Sequence, residues 1–255
     1  MFSVRHLNAL RSLEIEKVAP LIFPGARILD IGAGTGEQAA ELSQRGFDVC
    51  AIEIANSDYA HDRVFPITDY DGLTIPFPNQ SFDVVFSSNV LEHVPNLVRM
   101  HSEIKRVLRP NGFCLHVLPT HAWRFWTMMA GPPDAVVTFV SSIPRLLPRS
   151  AELRQEIPRL ATVWYRTMRR CVGLAFPWRH GERGTGVSEL VLFHPRWWRK
   201  NFRENGFILT YEKPMGLFYS GTMLLGPHLG FGKRAILAKY LGSACRLYKI
   251  TPAPS

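Results

Sequence analysis

The stretch Ile28-Leu29-Asp30-Ile31-Gly32-Ala33-Gly34-Thr35-Gly36 constrains this 255-residue chain more than any other. Residues 26–31 read as one fully buried strand, punctuated before by Pro24-Gly25 and after by Gly32. Residues 37–45 carry helical spacing, with Ala40 and Leu42 apolar and Gly46 placed to close the helix. Residues 48–54 read as a second strand. Strand, glycine turn, helix and strand in so short a span make a βαβ unit, and a parallel sheet follows from it. Glycines at such a turn let the backbone bend sharply and let a ligand approach the helix N-terminus without meeting a Cβ.

The alternation continues with strands expected at 64–67, 82–87 and 113–118 and a helix at 97–108. A helix at 195–205 closed by Gly206, a strand at 207–211 and a last strand at 245–250 follow. An amphipathic helix carrying Leu10, Leu13, Val18, Leu21 and Ile22 precedes them all. This order predicts an α/β fold, a doubly wound, mostly parallel seven-stranded Rossmann-like sheet with an inserted lid segment. The expected organisation is one domain over 1–255: an N-terminal helix to residue 25, a cofactor-binding core at 26–120, a lid at 121–187, and a C-terminal part at 188–255 that completes the sheet. A composition of 46% hydrophobic and 20% charged residues excludes disordered, collagen-like and disulfide-scaffold chains. Cys50, Cys114, Cys171 and Cys245 form no C-x-x-C pair, so neither a zinc ribbon nor a redox motif is expected. With charges spread through residues 1–25 there is no signal-peptide core, and the expected compartment is the reducing cytoplasm. Residues 125–144 contain Asp134 and Pro132-Pro133, and residues 214–232 carry five glycines and Pro227, so neither reads as a spanning helix.

The ligand is narrowed by the acids around the loop. A dinucleotide turn would read G-x-G-x-x-G, but its third glycine position holds Glu37, and the spacing here is G-x-G-x-G. Asp30, two residues before the first glycine, repels a pyrophosphate and attracts a cation. Glu53, ending the second strand, is placed to accept hydrogen bonds from both hydroxyls of a ribose. A cationic nucleoside meets both conditions, and S-adenosylmethionine is one.

With these pieces the sequence resembles the class I S-adenosylmethionine-dependent methyltransferases, and within them the type 11 methyltransferase domain. The matching stretches are residues 29–36, Ile52-Glu53, Ile75-Pro76-Phe77-Pro78 with Ser81-Phe82-Asp83-Val84-Val85, the run Ser88-Asn89-Val90-Leu91-Glu92-His93-Val94, and Arg106-Val107-Leu108-Arg109-Pro110-Asn111-Gly112. Beyond Thr120 only the general architecture is similar. The resemblance implies that Asp30, Gly32, Gly34 and Gly36 line the methionine end of the cofactor and that Glu53 takes the ribose. It implies further that Asp71, or Asp69 if the loop slips by two, accepts from the adenine amino group, and that Asn89 lies near the sulfur. The family's usual text often has a glycine where this chain has Asn111, and an aspartate where it has Asn79 or Glu53.

His93 and His121 follow the fourth and fifth strands, where ligands sit in such sheets, and either is a candidate general base; local packing is the other reading of His93. His116 reads as a core residue, and His61, His101, His180, His194 and His228 offer no metal-ligand spacing, so no metal is expected. Charge is unevenly distributed. Through Thr120 there are 10 Lys+Arg and 14 Asp+Glu, net −4, and beyond it 20 and 7, net +13, which gives the total of +9. Residues 121–187 hold ten arginines against four acids, with Trp123, Trp126, Trp164 and Trp178 among them and prolines at 132, 133, 144, 148, 158 and 177. The apolar cluster from Trp123 to Val140, flanked by Arg124 and Arg145, suggests a peripheral contact with the inner membrane surface and a lipid-linked or small-molecule acceptor. A cleft for an anionic small molecule, a nucleic-acid surface and a merely solvated face are the alternatives, with nucleic acid disfavoured because no RNA-binding module accompanies the charge. The expected function is methyl transfer to a small or lipid-linked acceptor. A non-catalytic cofactor-binding subunit and a methyltransferase acting on RNA are the other readings.

Overall fold

Successive apolar side chains at 28, 29 and 31, buried on both faces of the strand, call for the middle of a sheet covered by helices. The computed structural model places them there. It describes residues 4–57, 59–148, 153–176, 178–222, 226 and 228–254; Arg149, Pro177 and Pro227 lie outside the described residues. Strands β1 (Arg27–Ile31), β2 (Asp48–Ile54), β3 (Ile67–Tyr70), β4 (Phe82–Ser88), β5 (Leu108–Pro119), β6 (Phe207–Pro214) and β7 (Cys245–Pro252) form one sheet in the order β3-β2-β1-β4-β5-β7-β6. The first five run parallel, and β7 lies antiparallel between β5 and β6. This is the expected doubly wound, mostly parallel seven-stranded sheet. Its order reverses between β1 and β4, and the carboxyl ends of those strands are where such sheets bind ligands.

Helix α1 (Val4–Val18) with a short 3-10 turn (Ala19–Leu21), and α2 (Glu37–Gln44), cover one face of the sheet. Ile15, Val18, Ile28, Leu42, Phe86 and Leu115 make the core there. Helix α3 (Leu97–Val107) packs on the other face with α7 (Pro195–Glu204), burying Met100, Ile104, Trp198 and Phe202. Asn96 caps α3, its side-chain oxygen accepting from the Arg99 amide at 3.0 Å.

Three expectations change. The third strand falls at residues 67–70 rather than 64–67, because Pro66 has no N–H to give a ladder. Residues 64 and 65 instead fold onto the glycine loop, with the Val64 amide donating to the Thr35 carbonyl at 2.8 Å. The segment expected as a lid is helical through its prolines: α4 (His121–Leu146) contains Pro132, Pro133 and Pro144 and packs against α5 (Leu153–Ala175). Thr120 caps α4, and Trp123, Thr127, Gly131 and Ala135, each four apart, give it a buried stripe. Past a short α6 (Glu189–Leu192), an unanticipated helix α8 (Phe231–Leu241) precedes β7. Its Arg234 is buried and donates to the Phe218 and Leu229 carbonyls at 2.9 and 2.8 Å, tying the connection from β6 to the helix. Among the described residues, no helix is long and apolar enough to cross a membrane.

Candidate cofactor and acceptor site

The glycine loop is clamped to the end of β2. The Gly32 and Ala33 amides donate to the Ile52 carbonyl at 2.9 and 3.1 Å, and the Gly34 amide donates to Glu53 Oε2 at 2.8 Å. Gly32, Gly34 and Gly36 all adopt positive φ, at 70°, 59° and 83°. Gly36 is the N-cap of α2, and a Cβ there would lie 2.7 Å from Phe65 Cβ; one on Gly32 would lie 2.5 Å from Val90. The loop therefore needs glycine for both conformation and space.

Asp30 lies beneath this loop, 2% exposed, and its Oδ2 has no hydrogen-bond partner. Burial, with the Glu53 charge nearby, holds its carboxyl well above the usual carboxylate range. A buried, unpartnered carboxylate at the switch point of the sheet is the group a cationic ligand would satisfy. Glu53 is 9% exposed and pairs in register with Asp69 on the edge strand. Asp69 is bound to Arg63 at 2.5 Å, and Asp71 Oδ1 accepts from the Leu73 and Thr74 amides at 2.8 and 2.7 Å. Those amide bonds hold the Asp71 carboxyl below its ordinary range.

Asn89 follows β4 at φ 56°, with its side-chain amide against Ser88 and Arg11; turning the amide so that its oxygen faces Arg11 gives both groups a partner. Arg11 in turn binds Glu14 at 2.8 Å, and Glu14, fully buried, receives the Tyr219 hydroxyl at 3.3 Å. This polar cluster was missed from the sequence. Its signal was Glu14, which interrupts the apolar stripe Leu10-Glu14-Val18 at helical spacing.

A cavity of about 230 Å³ opens between Tyr59, which covers Gly34, and Asn89, His93, Trp123 and His180, with Leu7, Leu10 and Phe218 as its apolar wall. Burial lowers the pKa of His93, so it presents a neutral imidazole. His121 is elsewhere. It faces His194, with ring centroids 4.6 Å apart, in a separate depression with Pro195 and Arg246. The structure thus brings Asn89 and His93 to one cavity and leaves His121 outside it. His180, unremarkable in linear spacing, stands 4.7 Å from His93 ring to ring.

The comparisons with known proteins agree with this arrangement. The methyltransferase domain family matches residues 29–116. Those residues belong to that family. The buried Asp30, the glycine cradle and Glu53 fit S-adenosylmethionine. The chain is 34% identical over 104 residues to a sterol 24-C-methyltransferase of Gibberella zeae, covering 36% of this chain and 27% of that protein. It is 30% identical over 129 residues to a demethylmenaquinone methyltransferase of Corynebacterium kroppenstedtii, covering 48% and 56%. The chain thus spans about a quarter to a half of these relatives. An S-adenosylmethionine-dependent methyltransferase from Mesorhizobium loti shares the fold at a TM-score of 0.54 and 15% identity, over 93% of this chain and 97% of that one.

Proposed function

We propose that the chain transfers a methyl group from S-adenosylmethionine to a small or lipid-linked acceptor whose polar head enters the cavity lined by Tyr59, Asn89 and His93. The observation that carries this is the buried Asp30, whose Oδ2 has no hydrogen-bond partner, beneath a glycine cradle whose Gly34 is covered by Tyr59, a wall of the cavity that also holds Asn89 and His93. When bound, the cofactor supplies an already electrophilic methyl group, so the residues around it need chiefly to align and to shield. Glu53 is the acceptor for the ribose hydroxyls. Asp71, fixed by two amides, is the acceptor for the adenine amino group, with Asp69 as the alternative. Asn89, held by Arg11, borders the methyl-bearing end, and His93 offers a neutral nitrogen to a hydroxyl.

At about 230 Å³ the cavity is smaller than the roughly 300–1,000 Å³ of sites that enclose a whole drug-sized ligand. It suits the head of a larger acceptor whose remainder stays outside. The α4–α5 hairpin supports delivery from a membrane surface, because Val136, Val137, Val140 and Tyr165 are exposed beside the exposed Arg166, Arg169 and Arg170. The two named relatives act on a sterol and on demethylmenaquinone, which is in keeping with a lipid-like acceptor.

S-adenosylmethionine is expected to raise the melting temperature of the parent protein, and Glu53→Ala to abolish the shift. No shift in the parent would remove the cofactor assignment. Flotation with anionic liposomes at low salt, lost at high salt, tests the membrane contact, and a protein that stays at the bottom of the gradient at low salt would refute it.

A further inference from the structure

The turn Leu91–His93 and the segment after α5 meet although 87 positions separate His93 from His180. Gly181 lies on the Glu92 backbone, where a Cβ would come within 2.7 Å of the Glu92 carbonyl oxygen. The Glu182 amide donates to that same carbonyl at 2.9 Å, and Arg183 donates to the Val94 and Leu91 carbonyls at 2.6 and 3.0 Å. From the other side the His180 and Gly181 amides donate to the buried Glu189 carboxylate at 2.5 and 2.7 Å. His180 is therefore positioned on both flanks, with its ring between His93 and Trp123 at 4.7 and 4.6 Å.

The third member of the group is Glu92. Its side chain is fully buried, and neither carboxylate oxygen has a hydrogen-bond partner. The nearby guanidiniums are engaged elsewhere, Arg11 with Glu14 and Ser88 and Arg183 with main-chain carbonyls. A carboxylate in that state calls for a cation or a proton. One ligand atom from each of Glu92, His93 and His180 lies within 4.8 Å of the other two. Small rotations about the side-chain torsions bring such a set to the spacing of roughly 3.4 Å that tetrahedral ligands at about 2.1 Å from an ion require.

We propose that Glu92, His93 and His180 form a divalent transition-metal site, suited to Zn²⁺ by its two imidazoles and one carboxylate, on the wall of the acceptor cavity. Three protein ligands leave coordination positions open, the pattern of a metal that meets a substrate rather than one that only holds a fold. Because His93 and His180 line the cavity, the open side faces the acceptor, which this site defines as a hydroxylated molecule binding through oxygen. The assignment of the acceptor rests on the methyltransferase proposal and makes His93 a ligand rather than a direct base; the metal site itself does not depend on it. Arg11 and Arg183 add positive charge nearby, so the affinity is expected to fall below that of an all-thiolate structural zinc site.

The test uses the full chain, stripped with a chelator and titrated with ZnCl₂ in competition with a chromophoric chelator. One equivalent should bind, with at least a tenfold loss of affinity in His180→Ala and in Glu92→Gln and none in His121→Ala. Failure to bind one equivalent, binding that survives both ligand variants, or binding lost in His121→Ala would overturn the site. If the ligand variants do not fold, Co²⁺ added to the parent decides. Strong visible absorption of a four- or five-coordinate ion supports the site, and the weak bands of a six-coordinate ion refute it. Thermal shift with S-adenosylmethionine on the same samples separates the two proposals. Zinc binding without that shift removes the methyltransferase proposal alone, and the shift without zinc binding removes the metal site alone.

Discussion

The loop that carries His180 hangs on a buried ion pair, and its two partners should respond differently to removal. Arg124 Nε lies 3.0 Å from Glu189 Oε2, with both side chains sealed from solvent. Glu189→Gln keeps a carbonyl oxygen for the His180 and Gly181 amides but leaves a guanidinium that cannot lose its proton, and this costs about 3–5 kcal/mol at any pH from 5 to 8. Arg124→Met leaves a carboxyl group, which can escape by taking a proton. From an ordinary value of 4.5 the cost of that escape is at most about 3.4 kcal/mol at pH 7 and about 0.7 kcal/mol at pH 5, at 1.36 kcal/mol per pH unit. Loss of the bonds from Arg124 to the Gly186 and Trp178 carbonyls adds about 1 kcal/mol each at either pH. Burial already raises the Glu189 pKa in the parent. A raised acid stabilises below the ordinary carboxylate range and loses that contribution as pH climbs through its folded pKa, so removing Arg124 steepens the loss. Urea unfolding at pH 5 and pH 7, with hydrogen exchange at the His180 and Gly181 amides to catch local undocking, measures both effects. A Glu189→Gln cost below 1 kcal/mol with unchanged amide protection, or equal pH dependence in the two variants, would refute the reasoning.

Two further outcomes follow from the cofactor cup. Gly36→Ala should destabilise more than Gly46→Ala in urea melts, although both residues have positive φ and share a conformational cost of about 1–2 kcal/mol, because a Cβ at Gly36 meets Phe65 while one at Gly46 meets nothing within 4 Å. Only Gly36→Ala should also weaken S-adenosylmethionine binding, and equal costs would count against the packing explanation. Asp30, with its pKa raised by burial and by Glu53, should make the cofactor-free protein lose stability as pH rises through that raised value. Binding of a cation should release its proton. Calorimetry in buffers of different ionisation enthalpy should therefore show proton release that disappears in Asp30→Asn, and no buffer dependence in the parent would refute the role given to Asp30.

What could be read in the sequence and what could not divide along one physical line. The βαβ turn and the acids Asp30 and Glu53 are written within a span of about 25 residues, because a strand's period and a glycine's conformational freedom are local properties. The third strand was misplaced by three residues where a local rule had been overlooked, since Pro66 cannot donate to a ladder. The lid was a different case. Its prolines argued for breaks, yet α4 runs through Pro132 and Pro133, because the buried stripe of Trp123, Thr127, Gly131 and Ala135 outweighs local propensity.

The wall proposed for the acceptor lies at the far end of this range. Nothing near Glu92-His93 announces His180. The two meet only because Gly181 has no Cβ, Arg183 reaches two carbonyls, and Arg124 with Glu189 holds the segment from behind. Each of those contacts joins positions far apart in the chain and was invisible as spacing. The same logic separates His93 from His121, which look equivalent as histidines that follow strands β4 and β5 and are divided only by the direction in which α4 leaves the sheet. On the proposed reading the cofactor is met by a local motif, whereas the acceptor is met by residues that tertiary packing assembles. Specificity in this chain is therefore to be sought in the contacts between 91–94 and 178–189 rather than in the glycine loop.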